Sequence, residues 1–140
     1  MHYIDTSALV AALTSEPQSE RIWTWLAAHA EGEVAISPWV VSEFSSALSI
    51  KIRSGTLTVE QRAQIFANWR QLLEDGLLTL SVSTAHFEAA ARFADHHELG
   101  LRASDAVHLA IARDAGCTLV TLDQTMAAAA PHVGIPVETI

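Results

Sequence analysis

The residues from Leu101 to Asp123, LRASDAVHLAIARDAGCTLVTLD, constrain the fold more than any other part of the sequence. The hydroxyl of Ser104 suits the N-cap of a helix, apolar residues recur after it at helical spacing, and Gly116 is placed to end that helix. Thr118–Thr121 is a short apolar run of β-prone residues, which is typical of a parallel strand buried on both faces. A helix followed closely by such a strand is the repeating unit of an α/β sheet.

The rest of the sequence repeats this alternation. Further strands are predicted at His2–Ile4, Val34–Ser37, Leu77–Val82 and Pro136–Glu138. Further helices are predicted at Thr6–Leu13 (with Thr6 or Ser7 as the N-cap), Ser19–His29, Pro38–Arg53, Val59–Asp75, Thr84–Glu98 and Asp123–Ala130. This order predicts an α/β fold, a three-layer α/β/α sandwich around a parallel sheet of four to five short strands. The sequence contains no repeat and no linker, so residues 1–140 are expected to form a single domain.

Charge and composition limit the function. Eight basic and sixteen acidic residues give a net charge of −8, whereas proteins that grip nucleic acid through its phosphates are usually basic. Either nucleic acid is not the ligand, or bound metal neutralises some of the acids; the acidic balance also suggests a basic protein partner. No apolar run reaches the roughly 20 residues that a membrane span needs, so no membrane association is expected. The N-terminus does not resemble a signal peptide, and Cys117 is the only cysteine, which fits the cytoplasm.

Four acidic residues occupy unusual positions in the predicted elements. Asp5 and Asp123 each follow a predicted strand, at the edge where open α/β sheets build their sites. Asp105 lies in the first turn of a helix, where the helix dipole favours an anion. Glu43 lies on the inward stripe of its helix, among apolar neighbours, where an unpaired carboxylate is costly.

Each of these acids, taken alone, is explained equally well as a helix cap or a solvated charge. Together they predict something more, because four carboxylates that converge on one edge repel each other and need a cation to stay ionised. Mg²⁺, with Mn²⁺ as a substitute, is the natural partner of oxygen ligands, and such an ion can clamp a phosphate and activate water. The pattern therefore predicts metal-dependent phosphate chemistry.

Four segments that contain these acids resemble the acidic motifs of PIN-domain ribonucleases. They are YIDTSAL, VSEFSSAL, RASDAVHLAIA and TLVTLD, and they follow one another in the order and spacing of that family over essentially the whole chain. The short length and the wording DTSAL and SDAVHLA are most similar to VapC-type toxins of toxin–antitoxin pairs. The resemblance implies Mg²⁺-dependent endoribonuclease activity, a homodimer, and inhibition by a cognate antitoxin that covers the site.

The resemblance also assigns roles to individual residues. The acids that match its metal-binding and catalytic positions are Asp5, Glu43, Asp105 and Asp123. Thr6 and Thr121 match hydroxyl positions that support the site and are expected, with Arg102, on the substrate side. From the residues alone, Arg102 has two interpretations, a contact to phosphate or an ion pair with Asp105.

Two basic or titratable side chains near these motifs have open interpretations. His108 follows Asp105 by one turn, so it is either a buried helix histidine or a donor to the site. Lys51, near the end of its predicted helix, either complements the helix dipole or touches an RNA backbone at the rim of the site.

Rival functions are tested by residues that they require. A phosphate-accepting receiver or phosphatase calls for a lysine late in the chain, but Lys51 is the only lysine. A dinucleotide-binding domain needs a glycine-rich turn after the first strand, and no glycine lies there. The alternative that remains is a non-catalytic PIN-like protein that binds metal or RNA and works through a protein partner.

Overall fold

The computed structural model describes all residues, 1–140, and contains one parallel sheet of five strands. The strands are β1 (His2–Ile4), β2 (Val34–Ile36), β3 (Leu78–Thr79), β4 (Thr118–Val120) and β5 (Val137–Glu138), in the spatial order β3-β2-β1-β4-β5. Every neighbouring pair is parallel, so all carboxyl ends lie at one edge of the sheet. The predicted α/β class and the number of strands are confirmed.

Seven α-helices connect and flank these strands. They are α1 (Thr6–Leu13), α2 (Ser19–Ala27), α3 (Pro38–Arg53), α4 (Val59–Glu74), α5 (Thr84–Ala94), α6 (Ala103–Asp114) and α7 (Gln124–Ala129). Two 3₁₀ turns follow α5 and α7, at His97–Leu99 and Ala130–Val133. None of the helices combines the length and the apolar character that crossing a membrane requires.

The central strand β1 shows how helices cover both faces of the sheet. Successive side chains of a strand point to opposite faces. The His2 ring packs against Trp25 of α2, with ring centroids 5.3 Å apart, whereas the neighbouring Tyr3 hydroxyl bonds to His108 of α6. Helices therefore pack on both sides of the sheet, as a three-layer sandwich requires. A hydrophobic cluster of 33 buried residues fills the space between the layers.

Two elements are each four residues shorter than the sequence predicts. Strand β3 pairs only through Leu78 and Thr79, because its single neighbour β2 ends one residue before the chain enters α3. Helix α5 ends at Ala94 instead of Glu98. Its continuation, Asp95 and two histidines, consists of residues with low helix propensity, and the chain turns through a 3₁₀ segment closed by Gly100 at a φ of 64°.

The helix caps also differ from the prediction. Asp5, rather than Thr6 or Ser7, is the N-cap of α1, since its carboxylate accepts a hydrogen bond from the backbone N–H of Ala8. Helix α6 begins at Ala103, so Ser104 lies inside its first turn. Asp5 and Asp105, which are expected in the functional site, thus each also accept a backbone N–H at the start of a helix, from Ala8 and from Arg102.

The apolar pattern of α2 predicts that Ile22, Trp23, Leu26 and Ala27 face inward, and this is true only in part. Ile22 is fully buried, but Ala27 is exposed and Trp23 is 39% exposed. The indole N–H of Trp23 donates to the carbonyl of Ala12 at 2.8 Å, so this ring lies along the protein surface and is held there by its polar edge.

Candidate active site

The four predicted acids line one cleft at the carboxyl edge of the sheet. The cleft encloses about 470 Å³. Asp5 and Asp123 enter it from the ends of β1 and β4, Glu43 from α3 and Asp105 from the first turn of α6. Its other polar lining residues are Thr6, Ser7, Glu16, Ser46 and His108. The sequence therefore predicted correctly that the four carboxylates share one edge of the sheet.

Asp5 is the most deeply buried of these acids, with 2% of its surface exposed. Burial raises the pKa of its carboxyl, and the charge of His108 together with bonds from Ala8, Thr121 and Ser7 opposes that rise. The Ser7 hydroxyl donates to the carboxylate at 2.8 Å and Thr121 donates at 2.8 Å. Burial disfavours the charged form of this carboxylate, so a cation bound beside it would stabilise that form.

The hydroxyls of Ser7 and Thr121 form hydrogen bonds between the segments that follow the neighbouring strands β1 and β4. Thr121 Oγ1 donates to Asp5 and accepts the backbone N–H of Asp123 at 2.9 Å. Ser7 Oγ accepts the backbone N–H of Leu122 at 2.9 Å. Thr121 is thus placed behind the carboxylate of Asp5, where it orients that acid.

Glu43 is held by two hydrogen bonds that end on the same oxygen. Thr6 Oγ1 donates to Oε2 at 2.6 Å, and His108 Nε2 lies 2.6 Å from the same atom. Burial raises the pKa of Glu43, but the hydrogen bond and the charge of His108, with the Thr6 hydroxyl, outweigh it, so the pKa lies below its ordinary value. Glu43 therefore stays ionised, and both bonds leave Oε1 available to a further ligand.

His108 is itself oriented by a buried hydroxyl chain. Its Nδ1 lies 2.9 Å from the Tyr3 hydroxyl, which lies 2.8 Å from Ser37 Oγ. Burial raises the pKa of the Tyr3 hydroxyl, so it remains a neutral donor or acceptor. The structure combines the two interpretations of His108, because the ring is buried in α6 and its Nε2 reaches an acid of the cleft.

Asp105 and Arg102 meet through the backbone. The carboxylate of Asp105 accepts the backbone N–H of Arg102 at 3.1 Å and the Ser104 hydroxyl at 3.3 Å. Arg102 is exposed, its guanidinium forms no ion pair, and it does not line the cleft. The ion pair between these two residues, one of the two interpretations, is therefore absent.

Asp123 is the N-cap of α7. Its Oδ1 accepts the backbone N–H of Met126 at 2.8 Å. The cap and the position in the cleft are compatible, because a carboxylate has two oxygens and only one is used by the helix.

A fifth carboxylate, Glu16, lines the same cleft and was not singled out from the sequence. It bonds to Lys51 Nζ at 2.8 Å, which places this lysine in a side-chain pair rather than in the cleft. No lysine or arginine lines the cleft. The other four carboxylates have no lysine or arginine partner, so with one histidine they form an anionic cavity that favours a bound metal ion.

The donor set fits a hard divalent ion. Mg²⁺ prefers oxygen ligands, keeps several waters and is commonly held by one or two carboxylates. No three of the cleft acids bring their oxygens within 4.8 Å of one another. Such spacing suits an ion that is held partly through water.

Three residues at or behind the cleft are not predicted from the sequence as part of the site. Ser7 is predicted only as a possible helix cap, and Glu16 and Tyr3 are not predicted at all. The signal for Ser7 is its position two residues after Asp5, from which a short side chain can reach back to a carboxylate. Glu16 lies in a loop and Tyr3 in a buried strand, and neither position differs in sequence from an ordinary surface or core residue.

Comparison with known proteins is consistent with this fold. The family model described as the PIN domain matches residues 2–130. FitAcB from Neisseria gonorrhoeae is 22% identical over 98% of this chain and 96% of that chain, with a TM-score of 0.70. VapC20 from Mycobacterium tuberculosis, a Sarcin-Ricin loop cleaving toxin, is 20% identical over 92% and 95% of the two chains, with a TM-score of 0.73.

A third similar structure is VapBC2 from Rickettsia felis bound to a promoter DNA fragment, with 18% identity, coverage of 100% and 99%, and a TM-score of 0.70. No curated protein matches the chain by sequence. The structural matches share the fold, and the family model extends over nearly the whole sequence. On this evidence the chain belongs to the PIN domain family.

Proposed function

We propose that this protein is a metal-dependent endoribonuclease and acts as the toxin of a toxin–antitoxin pair. The observation that carries the proposal is the convergence in one cleft of four carboxylates that no lysine or arginine neutralises. Membership of the PIN family, whose domains are generally nucleases, supports the reaction class. The toxin VapC20 among the similar structures supports RNA as the substrate.

In this proposal Asp5, Glu43, Asp105 and Asp123 hold Mg²⁺ or Mn²⁺, directly or through water. When bound, the ion supplies Lewis-acid activation of the scissile phosphate and of the attacking water. Thr121 and Ser7 orient Asp5, while Thr6 and His108 orient Glu43. Arg102, exposed at the start of α6, is proposed to contact RNA outside the cleft.

The proposed partner is an antitoxin protein with a basic segment. A net charge of −8 and an anionic cleft favour a cationic peptide over the site. A toxin–antitoxin complex from Klebsiella pneumoniae is among the structures that are similar to this chain, which supports an antitoxin as the partner. We further propose that residues 1–140 form one cytoplasmic domain that pairs as a homodimer.

The test is cleavage of a structured RNA by the purified protein in Mg²⁺ or Mn²⁺. Wild-type protein should cleave, and EDTA should abolish cleavage. Asp105→Asn should also abolish it, while the exposed Asp95→Asn, prepared in the same way, should leave it unchanged. Equal cleavage by wild type and Asp105→Asn would indicate a contaminating ribonuclease and would overturn the assignment.

The non-catalytic alternative has one observation in its favour, the absence of basic residues from the cleft. It predicts that Mg²⁺ raises the melting temperature of wild type but not of Asp105→Asn, and that no RNA is cleaved. If wild type shows neither a thermal shift with Mg²⁺ nor cleavage of RNA, the cleft is not a metal site.

A further inference from the structure

A second group of metal-binding side chains lies outside the acidic cleft. It consists of His2 on β1, His29 in the segment after α2, and Glu138 on β5. One ligand atom from each side chain lies within 4.8 Å of those of the other two. His2 Nε2 is 2.9 Å from Glu138 Oε2, and the rings of His2 and His29 have centroids 4.6 Å apart.

Trp25 orients two members of this group at once. Its indole N–H donates to Glu138 Oε1 at 2.8 Å, and its backbone carbonyl lies 2.8 Å from His29 Nδ1. A carbonyl only accepts, so Nδ1 of His29 carries the proton and Nε2 keeps a free lone pair in the neutral ring. Metal-binding histidines commonly show this arrangement, with one nitrogen on a carbonyl and the other free for the ion.

His2 presents its Nε2 atom to the same carboxylate, 2.9 Å from Glu138 Oε2. The neutral ring either donates an Nε2 proton to Glu138 or, with the proton on Nδ1, offers the lone pair of Nε2 to a cation. The second tautomer leaves the N–H of the buried Nδ1 without a partner, a cost that the bonds to the ion must exceed. A divalent ion between His2, His29 and Glu138 would neutralise the carboxylate without charging the ring.

We propose that His2, His29 and Glu138 form a Zn²⁺ site. Two imidazoles and one carboxylate are a known donor set for zinc, with water at the fourth position. The partial exposure of the side chains of His2 and Glu138, 24% and 39%, leaves room for that water. Imidazole donors prefer zinc and its neighbours to Mg²⁺, which separates this site chemically from the all-oxygen cleft.

The site connects the end of the sheet to its centre. Strand β5 has only two residues, lies at the sheet edge and pairs only with β4. Glu138 belongs to β5, His2 belongs to β1 two strands away, and His29 adds the segment after α2. Bound zinc therefore holds a short edge strand, across β4, to the central strand.

The experiment is calorimetric titration of the metal-free protein with Zn²⁺, at a pH above the ordinary pKa of histidine. With excess Mg²⁺ present to occupy the acidic cleft, one Zn²⁺ per chain should bind, in wild type and equally in Asp105→Asn. His29→Gln and Glu138→Gln should each weaken binding more than tenfold. Trp25→Phe, which removes the N–H on Glu138 and part of the ring that packs on His2 and His29, should weaken it by about 10- to 100-fold.

His132→Gln is the matched control, because the Nδ1 of His132 also bonds to a carbonyl four residues earlier, but outside the cluster. It should bind zinc as wild type does. Zinc should also raise the melting temperature and slow hydrogen exchange at Val137 and Glu138 in wild type. Zinc binding that survives both ligand substitutions, no zinc binding by wild type, or binding without protection of β5 would each overturn the proposal.

Discussion

The Nε2 atom of His108 and the Oε2 atom of Glu43, 65 residues apart in the sequence, lie 2.6 Å apart. This contact ties α6 to α3 across the cleft and contributes to the lowered pKa of Glu43. Because the other nitrogen of the ring lies 2.9 Å from the Tyr3 hydroxyl, the ring is fixed from both sides. His108 therefore acts on the candidate site through the position of Glu43.

Substitution of His108 by alanine should weaken metal-dependent cleavage by roughly 10- to 100-fold, the usual effect of losing a residue that orients a metal ligand. The concentration of Mg²⁺ that gives half-maximal cleavage should rise, because Glu43 loses the partner that favours its charged form. The measurement is the rate of RNA cleavage as a function of Mg²⁺ concentration.

His86→Ala provides the control for a general loss of stability. His86 is a second buried helix histidine, and its Nε2 lies 3.1 Å from Asp114 Oδ2. Neither His86 nor Asp114 lines the cleft. Both variants should unfold at lower denaturant concentrations, but only His108→Ala should change the Mg²⁺ dependence. An equal change in both would mean that His108 has only a structural role.

Thr121 should be required for its hydroxyl rather than for its shape. Thr121→Val keeps the volume but removes the donor to Asp5 and the acceptor for the backbone N–H of Asp123. Each buried group left without a partner costs about 1–3 kcal/mol. Thr121→Ser keeps both bonds and should lose only about 1 kcal/mol from the missing methyl group. Urea unfolding measures both, and equal stability of the Val and Ser variants would contradict the assignment.

Two substitutions of Asp123 should distinguish its role as a helix cap from its role in metal binding. Asp123→Asn retains an N-cap of similar quality for α7, whereas Asp123→Ala removes the bond to Met126 and should cost about 1 kcal/mol. Both variants should lose cleavage, because neither has the carboxylate charge. Thermal unfolding without metal measures the loss of the cap, and the cleavage assay measures the loss of the metal-binding carboxylate. Cleavage retained by Asp123→Asn would show that the residue serves only as a cap.

The sequence was sufficient to predict the fold because its strands are short apolar runs that end in turns or acids. It also pointed to Asp5, Glu43, Asp105 and Asp123 as candidates, since carboxylates at strand ends and on an inward helix face are conspicuous against apolar neighbours. Their placement in one cleft follows from the parallel sheet, which gathers all carboxyl ends at one edge.

Contacts between distant parts of the chain could not be predicted in the same way. The bond between Ser7 and Leu122 and the pair between Glu16 and Lys51 depend on how loops approach the helices α1 and α3 after folding. The exposure of Trp23 depends on the rotation of α2, which its apolar stripe specifies only approximately. Local patterns determine elements, whereas these contacts depend on tertiary packing.

The raised pKa of Asp5 predicts a characteristic pH dependence of stability in the metal-free protein. The folded state holds the proton of Asp5 more tightly than the unfolded state, so this group lowers stability as the pH rises from about 4 through its folded pKa. Asp5→Asn lacks that contribution. Its stability relative to wild type, measured by urea unfolding in EDTA, should increase with pH over this window. The exposed Asp95→Asn should show no such trend. A flat difference for Asp5→Asn would mean that the hydrogen bonds from Ser7, Thr121 and Ala8 fully offset the burial of the charge.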